Sequence, residues 1–191
     1  MDTKTVLLVG VGGQGTILAG DILAKTAAAE GLDVKISEIH GMSQRGGSVI
    51  SQVRFGAKVR SPIIPDGQSD VLVSFERAEA LRYAHLAKPG AKILVNDMDR
   101  IPVTVSSGLQ APVQDADKRL GAYPGLALID ANPLAIQAGN LRAANVVLMG
   151  ALSAFVPFDE EHWQAAMRER IPAKLLDVNL RAFAAGRAAV R

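Results

Sequence analysis

The stretch TVLLVGVGGQGTILAGDILAKTAAAEGLDVKISEI, residues 5–39, decides the fold. Residues 5–9 are a short apolar run that stops at Gly10, as a strand buried on both faces of a parallel sheet reads. The turn Gly10-Val11-Gly12-Gly13-Gln14-Gly15 follows. Residues 16–30 predict a helix with Ile17, Leu18, Ile22 and Leu23 turned inward, and Gly31 stands where a left-handed residue ends such a helix. Residues 33–39 return as a second strand. Strand, helix, strand is a βαβ unit, whose crossover is right-handed.

Working outward, residues 49–55 alternate apolar and polar side chains, and residues 58–60 read as the returning arm of a hairpin after the Gly56-Ala57 turn. A proline-bracketed loop at 61–67 leads to an apolar strand at 71–75, an amphipathic helix at 76–87 and a strand at 92–95 after Pro89-Gly90. Residues 101–125, with Pro102, Pro112 and Pro124, are the least legible, apart from a short helix around Ala116. A last strand is expected at 126–129. Asn132-Pro133 reads as an N-cap with proline in the first turn, opening one helix that carries Leu134, Ala138, Leu141, Asn145, Leu148 and Leu152. Helices at 159–170 and 174–187 are separated by Pro172. Strands alternating with helices give the α/β class: a Rossmann-like layered sandwich with a mostly parallel mixed sheet flanked by helices, plus C-terminal helices. The expected organisation is a single domain over 1–191, with 158–191 as a helical extension.

Composition narrows the function. At 191 residues one domain buries roughly 70% of its unfolded surface and needs no staples. A net charge of +2 and 4% aromatic residues argue against nucleic acid as a partner. There is no cysteine, so this chain can ligate no thiolate-held iron–sulfur cluster. His40, His85 and His162 are too far apart for zinc spacing. No signal-peptide pattern opens the chain and no apolar run is long enough to span a bilayer, so a soluble, cytoplasmic protein is expected.

Two loops concentrate the polar chemistry. Gly12, Gly13, Gln14 and Gly15 lie between strand and helix, where backbone N–H groups and a helix N-terminus hold an anion. Glycines there also serve close strand–helix packing. The second loop, SEIHGMSQRGGSV at 37–49, sets Glu38, His40, Ser43, Gln44 and Arg45 among Gly41, Gly46 and Gly47. Arg45 suits a phosphate or carboxylate and His40 titrates near neutrality, while the glycines permit close approach by a ligand. A turn with an internal Glu38–Arg45 pair is the structural alternative. Glu38 also stands where a ribose-binding acid of a dinucleotide enzyme is found, which keeps an NAD(P) oxidoreductase open. Arg54, Lys58 and Arg60 form a cationic cluster, and Asn145 sits on an apolar stripe as a core or interface amide. No side chain is read as catalytic and none as a metal ligand.

GVGGQG with the following ILAGDILAKTA, then SEIHGMSQRGGSV, the Ser61-Pro62 pair, SFERAEALR at 74–82, AANVVLMGAL at 143–152 and NLRAFAAG at 179–186 together resemble the gamma-type domain of the 2-oxoacid:ferredoxin oxidoreductases. The likeness runs in order over nearly the whole chain. It implies a subunit taking part in oxidative decarboxylation of an aryl-pyruvate, indolepyruvate-like, with coenzyme A as co-substrate, to acyl-CoA, carbon dioxide and reduced ferredoxin. It also implies that this chain alone binds no cofactor and that thiamine diphosphate and iron–sulfur clusters belong to a large partner subunit, in a heteromer such as α2β2. Ferredoxin is reached through the complex, with no role for nucleic acid or membrane. Carried onto this chain, the matching positions are Gly12, Gly13, Gln14, Gly15, Glu38, Gly41, Arg45, Gly46 and Gly47. A purely structural assembly subunit, and an enzyme of a different oxoacid, remain the alternatives.

Overall fold

A computed structural model describes residues 1–41, 46–99, 105, 108, 109, 111 and 115–190. The elements are β1 (Lys4–Val11), α1 (Thr16–Ala29), β2 (Asp33–His40), β3 (Ser48–Gly56), β4 (Ser69–Ser74), α2 (Arg77–Tyr83), β5 (Ala87–Asn96), α3 (Ala116–Leu120), β6 (Leu126–Ile129), α4 (Ala131–Ala138), α5 (Ala144–Ser153), α6 (Glu160–Arg170) and α7 (Ala173–Ala188). The strands form one sheet in the order β2-β3-β1-β4-β5-β6. β1, β4, β5 and β6 pair in parallel, and β3 is antiparallel to both β1 and β2. Five strands therefore point one way and β3 the other: the expected mostly parallel mixed sheet.

β1 is central and buried from Thr5 onward, which is why its sequence is apolar without alternation. Val6 and Leu8 face a cluster built with α1, α4, α5, α6 and α7, including Ile22, Leu23, Leu148, Trp163 and Phe183. Leu7 and Val9 face the opposite side, with Ala80 of α2 and Leu120 of α3. Each such fully buried aliphatic side chain contributes about 1.5–3 kcal/mol, so two-sided burial fixes β1 at the centre. Gly20 lets α1 lie directly on β3, since a Cβ there would stand 2.1 Å from Ser51 Oγ. Among the described residues no helix is long and apolar enough to cross a membrane.

Five local expectations are corrected. β2 runs in the same direction as β1, but β3 lies between them, so the opening unit is a crossover over an inserted strand. β3 finds its hairpin partner in β2, not in residues 58–60, which form no strand: the Asp33↔Gly56 and His40↔Val49 register satisfies its backbone instead. The single helix expected from Asn132 is two. Gly139, at φ 115°, takes a left-handed conformation that ends α4, and the Asn140 side chain accepts from Arg142 N–H at 3.0 Å to start the next turn. The N-cap of α4 is Asp130 rather than Asn132. Ile17 is 43% exposed, because the buried stripe of α1 runs through Thr16, Ala19, Gly20, Leu23 and Ala27.

Candidate functional site

β1 sends its chain through α1 towards β2 and β3, while β4 sends its chain through α2 towards β5. Where successive connections part in opposite directions, the carboxyl ends of the strands leave a crevice that nothing covers. A cleft of about 830 Å³ opens there. Its wall is the glycine loop, Gly12 to Gly15, with Phe75 after β4, Asn96 at the end of β5, Asn132 in α4 and the Arg142–Asn145 segment opposite.

The glycine loop is held from several sides. Gly13 and Gly15 have φ of 98° and 87°, a left-handed backbone closed to most side chains. A Cβ on Gly15 would lie 2.3 Å from Asn145 Nδ2, whereas a Cβ on Gly13 would meet nothing within 4 Å, so that backbone stands open to the cleft. The Gln14 side chain folds back, its Oε1 accepting from Val11 N–H at 2.6 Å. Gln14 N–H bonds Val11 O at 3.1 Å, and Gly12 N–H donates to Gly47 O at 2.8 Å. Among the described residues no such bond takes the N–H of Gly13 or Gly15. α1 begins at Gly15 without a side-chain cap or an acidic residue in its first turn. Its dipole and orphan N–H groups therefore face the loop uncompensated, an arrangement that favours an anion.

The bond from Gly12 to Gly47 brings the two loops together. Gly41 N–H donates to Ser48 O at 3.2 Å, closing the neck of the second loop, and Gly46 is left-handed at φ 85°. His40, at the end of β2, shares a smaller cleft of about 530 Å³ with Gly12, Gly13, Ile17 and Val49. Glu38 is exposed on the edge strand. With β3 inserted, it stands two strand spacings from β1, about 10 Å, so it does not flank the glycine loop as a ribose-binding acid does. Ser43, Gln44 and Arg45 lie outside the described residues. Lys58 and Arg60 follow β3, whose end pairs with Lys4, so they sit at the opposite end of the sheet from the glycine loop. Arg54 donates to Ser61 O and Ile63 O. Among the described residues, the cation lining the cleft with the glycine loop is Arg142.

The family model described as pyruvate ferredoxin/flavodoxin oxidoreductase matches residues 5–189. The chain belongs to this oxidoreductase family. It is 42% identical over 195 residues to the indolepyruvate oxidoreductase subunit IorB of Thermococcus kodakarensis, covering 97% of this chain and 95% of that one. The gamma subunit of keto/oxoacid ferredoxin oxidoreductase from Geobacter sulfurreducens superimposes with a TM-score of 0.73 at 25% identity, over 98% of both chains. The 2-oxoglutarate:ferredoxin oxidoreductase of Magnetococcus marinus, solved with 2-oxoglutarate, coenzyme A and succinyl-CoA, shares the fold at TM-score 0.76 and 21% identity, over all of this chain and 31% of that one.

Several residues of this family member's site escape a motif reading. Asn96 is 3% exposed, its Nδ2 reaching Phe75 O at 3.4 Å and Asn132 Oδ1 at 3.3 Å, while its Oδ1 has no partner among the described residues. Asn96 and Asn132 follow strands whose carboxyl ends face the crevice, and that position was the available signal. Glu79 of α2 is also buried. Its Oε2 accepts from Ser48 Oγ at 2.5 Å and its Oε1 from Arg82 Nε at 2.9 Å, with Tyr83 OH 3.0 Å from the same serine. A buried carboxylate thus anchors the root of the second loop. Among the described residues one group has metal-ligand spacing, Glu30, Asp159 and His162, within 4.8 Å of one another. It lies at the far end of α1, about 20 Å from the glycine loop, and Glu30 Oε1 already accepts from Asp159 N–H at 2.7 Å and bonds His162 Nδ1 at 2.9 Å.

Proposed function

We propose that this chain is the small subunit of an indolepyruvate-type 2-oxoacid:ferredoxin oxidoreductase. It receives coenzyme A, and a large cytoplasmic partner carries thiamine diphosphate and the iron–sulfur clusters. The reaction is oxidative decarboxylation of an aryl-pyruvate to its acyl-CoA, with release of carbon dioxide and reduction of ferredoxin. The near full-length identity to an indolepyruvate oxidoreductase subunit supports the substrate class. With no cysteine, this chain does not fit an iron–sulfur cluster, so the electrons travel through groups on the partner. When bound there, thiamine diphosphate supplies the decarboxylation chemistry.

The observation that carries the coenzyme A reading is the open backbone of Gly13 beside the left-handed Gly15 at an uncapped helix N-terminus, facing a cleft lined by Asn96 and Asn145. Backbone N–H groups there bind a phosphate of the co-substrate. The Asn145 amide fixes the loop by contact with Gly15. The second loop, tied to the first through Gly47, closes over the partner's centre. It positions the thiol and excludes water, with no covalent chemistry from this chain.

The test begins with the tagged chain purified from its native cells. Co-purification of a large cysteine-rich subunit, with broad absorbance near about 400 nm, is expected, together with indolepyruvate-dependent reduction of ferredoxin that requires coenzyme A. A colourless chain without a large partner, or a complex whose coenzyme A dependence survives Gly13→Ala and Arg45→Ala unchanged, overturns the reading.

A further inference from the structure

A hollow of about 270 Å³ opens at the end of the sheet remote from the glycine loop. Its walls come from the starts of β1, β4 and β5, from Phe55 late in β3 and from residues 155–157 after α5. β1 runs from Lys4 at this hollow to Val11 in the glycine loop, about 23 Å at ~3.3 Å per residue, so a ligand here leaves the main cleft free. Val6, Phe55, Phe155 and Pro157 give the hollow apolar walls. Its charged lining is three lysines, Lys4, Lys88 and Lys92, against one carboxylate, Asp70. Asp70 is already engaged at both oxygens. Its Oδ2 accepts from Thr5 N–H at 2.8 Å and lies 2.9 Å from Thr5 Oγ1, and its Oδ1 is shared between Lys88 and Lys4. Burial pushes its pKa up, but hydrogen bonds from Lys88 and Thr5 outweigh that and hold the carboxyl below its ordinary 3.8, so it is ionised near neutrality. No ion pair among the described residues takes Lys92. Its Nζ stands 5.5 Å from the centre of the Phe155 ring.

Three ammonium groups to one carboxylate leave an excess of positive charge beside aromatic and aliphatic walls. That combination suits an acid with an apolar body. We propose that this hollow is a binding site for a small amphipathic acid, its carboxylate at Lys88 and Lys92 and its ring or chain against Phe55, Phe155 and Pro157. Lysine ammoniums on flexible stems follow such a carboxylate without the fixed fork of an arginine. Lys92 is exposed, and a cation over a ring is weakly held where water reaches it. An incoming carboxylate therefore draws Lys92 off Phe155 and frees the ring face for the body of the ligand. The volume falls just under the roughly 300 Å³ at which drug-sized sites begin, which suits one ring with a short acidic arm. Nothing in this hollow depends on what fills the main cleft.

The experiment titrates the full chain with 3-phenylpropionate by calorimetry at low salt. Two controls run beside it: 3-phenylpropanamide, which keeps the body without the charge, and propionate, which keeps the charge without the ring. 3-Phenylpropionate is expected to bind with a dissociation constant of about 1 mM or tighter, and each control about tenfold more weakly or worse. Lys92→Glu reverses one exposed charge and is expected to keep the melting temperature while weakening 3-phenylpropionate by about tenfold or more. Phe155→Ala is expected to weaken 3-phenylpropionate and leave propionate unchanged. Absence of binding by the native chain, equal binding of the acid and its amide, or equal binding of the acid and propionate overturns the proposal. Undiminished binding of 3-phenylpropionate by Lys92→Glu places the acid elsewhere on the chain and overturns it as well.

Discussion

Gly12 N–H donates to Gly47 O across 2.8 Å, and through that bond the two motifs become one site. Each loop has its own anchor, the second in Ser48 on Glu79 and the first in Gln14 on Val11, and the Gly12–Gly47 bond couples the two. Substitutions in the two loops should therefore fail to add. Gly13→Ala costs about 1–2 kcal/mol in backbone strain because alanine resists φ near 98°. Combined with Arg45→Ala in the complex, a coupling of about 0.5–3 kcal/mol in kcat/KM for coenzyme A is expected. Additive effects in this double-mutant cycle would mean that the loops act independently.

Gly15 and Asn145 give a sharper steric case. An alanine at Gly15 must adopt φ 87° and press its Cβ to within 2.3 Å of Asn145 Nδ2. Gly15→Ala should raise KM for coenzyme A and lower the melting temperature. Asn145→Gly in the same chain should recover the steric part but not the backbone strain, about 1–2 kcal/mol. Full recovery in thermal denaturation would show that the conformation of residue 15 is not a constraint; no recovery would show that Asn145 is not the obstacle.

Much of this was legible from the sequence for reasons that can be named. β1 and α1 carry strong periodic patterns and are bounded by glycines, so the opening unit and the anion-binding loop could be read locally. The insertion of β3 between β1 and β2 could not, because hydrogen-bond partnership is a long-range choice that residues 48–56 do not encode by themselves. The break at Gly139 was hidden by leucines that keep helical spacing across it; the left-handed glycine and the capping Asn140 outweigh that pattern. Asn96, Asn132 and Arg142 belong to no motif. Each gains its place only when four strands present their carboxyl ends to one crevice, so strand order had to precede site assignment.

Gly150 and Gly186 mark where α5 and α7 touch backbone to backbone. A Cβ on Gly186 would stand 1.8 Å from Val147 O, and one on Gly150 2.0 Å from Phe183 O. Trp163 and Phe183 lie at 0% and 1% exposure in the same cluster as Val6 and Leu8. We propose from this that residues 158–191 fold with the rest as one unit. Gly186→Ala should cost about 1–3 kcal/mol by overpacking, lowering the melting temperature by roughly 2–12 °C. Calorimetry of the whole chain should show one transition, and a chain ending at residue 157 should bind a hydrophobic dye. Two transitions, or a truncated chain that melts cooperatively, would make the C-terminal helices a separate attachment.

The far end of α1 is fastened to α6 by a pair that responds to pH. The hydrogen bond from His162 lowers the Glu30 pKa below its ordinary 4.5, helped by the Asp159 N–H and opposed by burial. The same bond raises the His162 pKa above 6.5, assisted by the charges of Glu30, Asp159 and Glu161 and opposed by partial burial. The histidine's contribution is complete below its unfolded value and is lost as pH rises through the raised folded value. The carboxylate's contribution is complete above its unfolded value and is lost as pH falls through the lowered folded value. Both are present between 4.5 and 6.5, so the advantage of the native chain over His162→Ala should be greatest in that window and shrink on either side. Melting temperatures of the two chains across pH 4 to 9 (roughly the span that brackets both groups) check this. A difference that stays constant over the whole range would show that the pair contributes only packing.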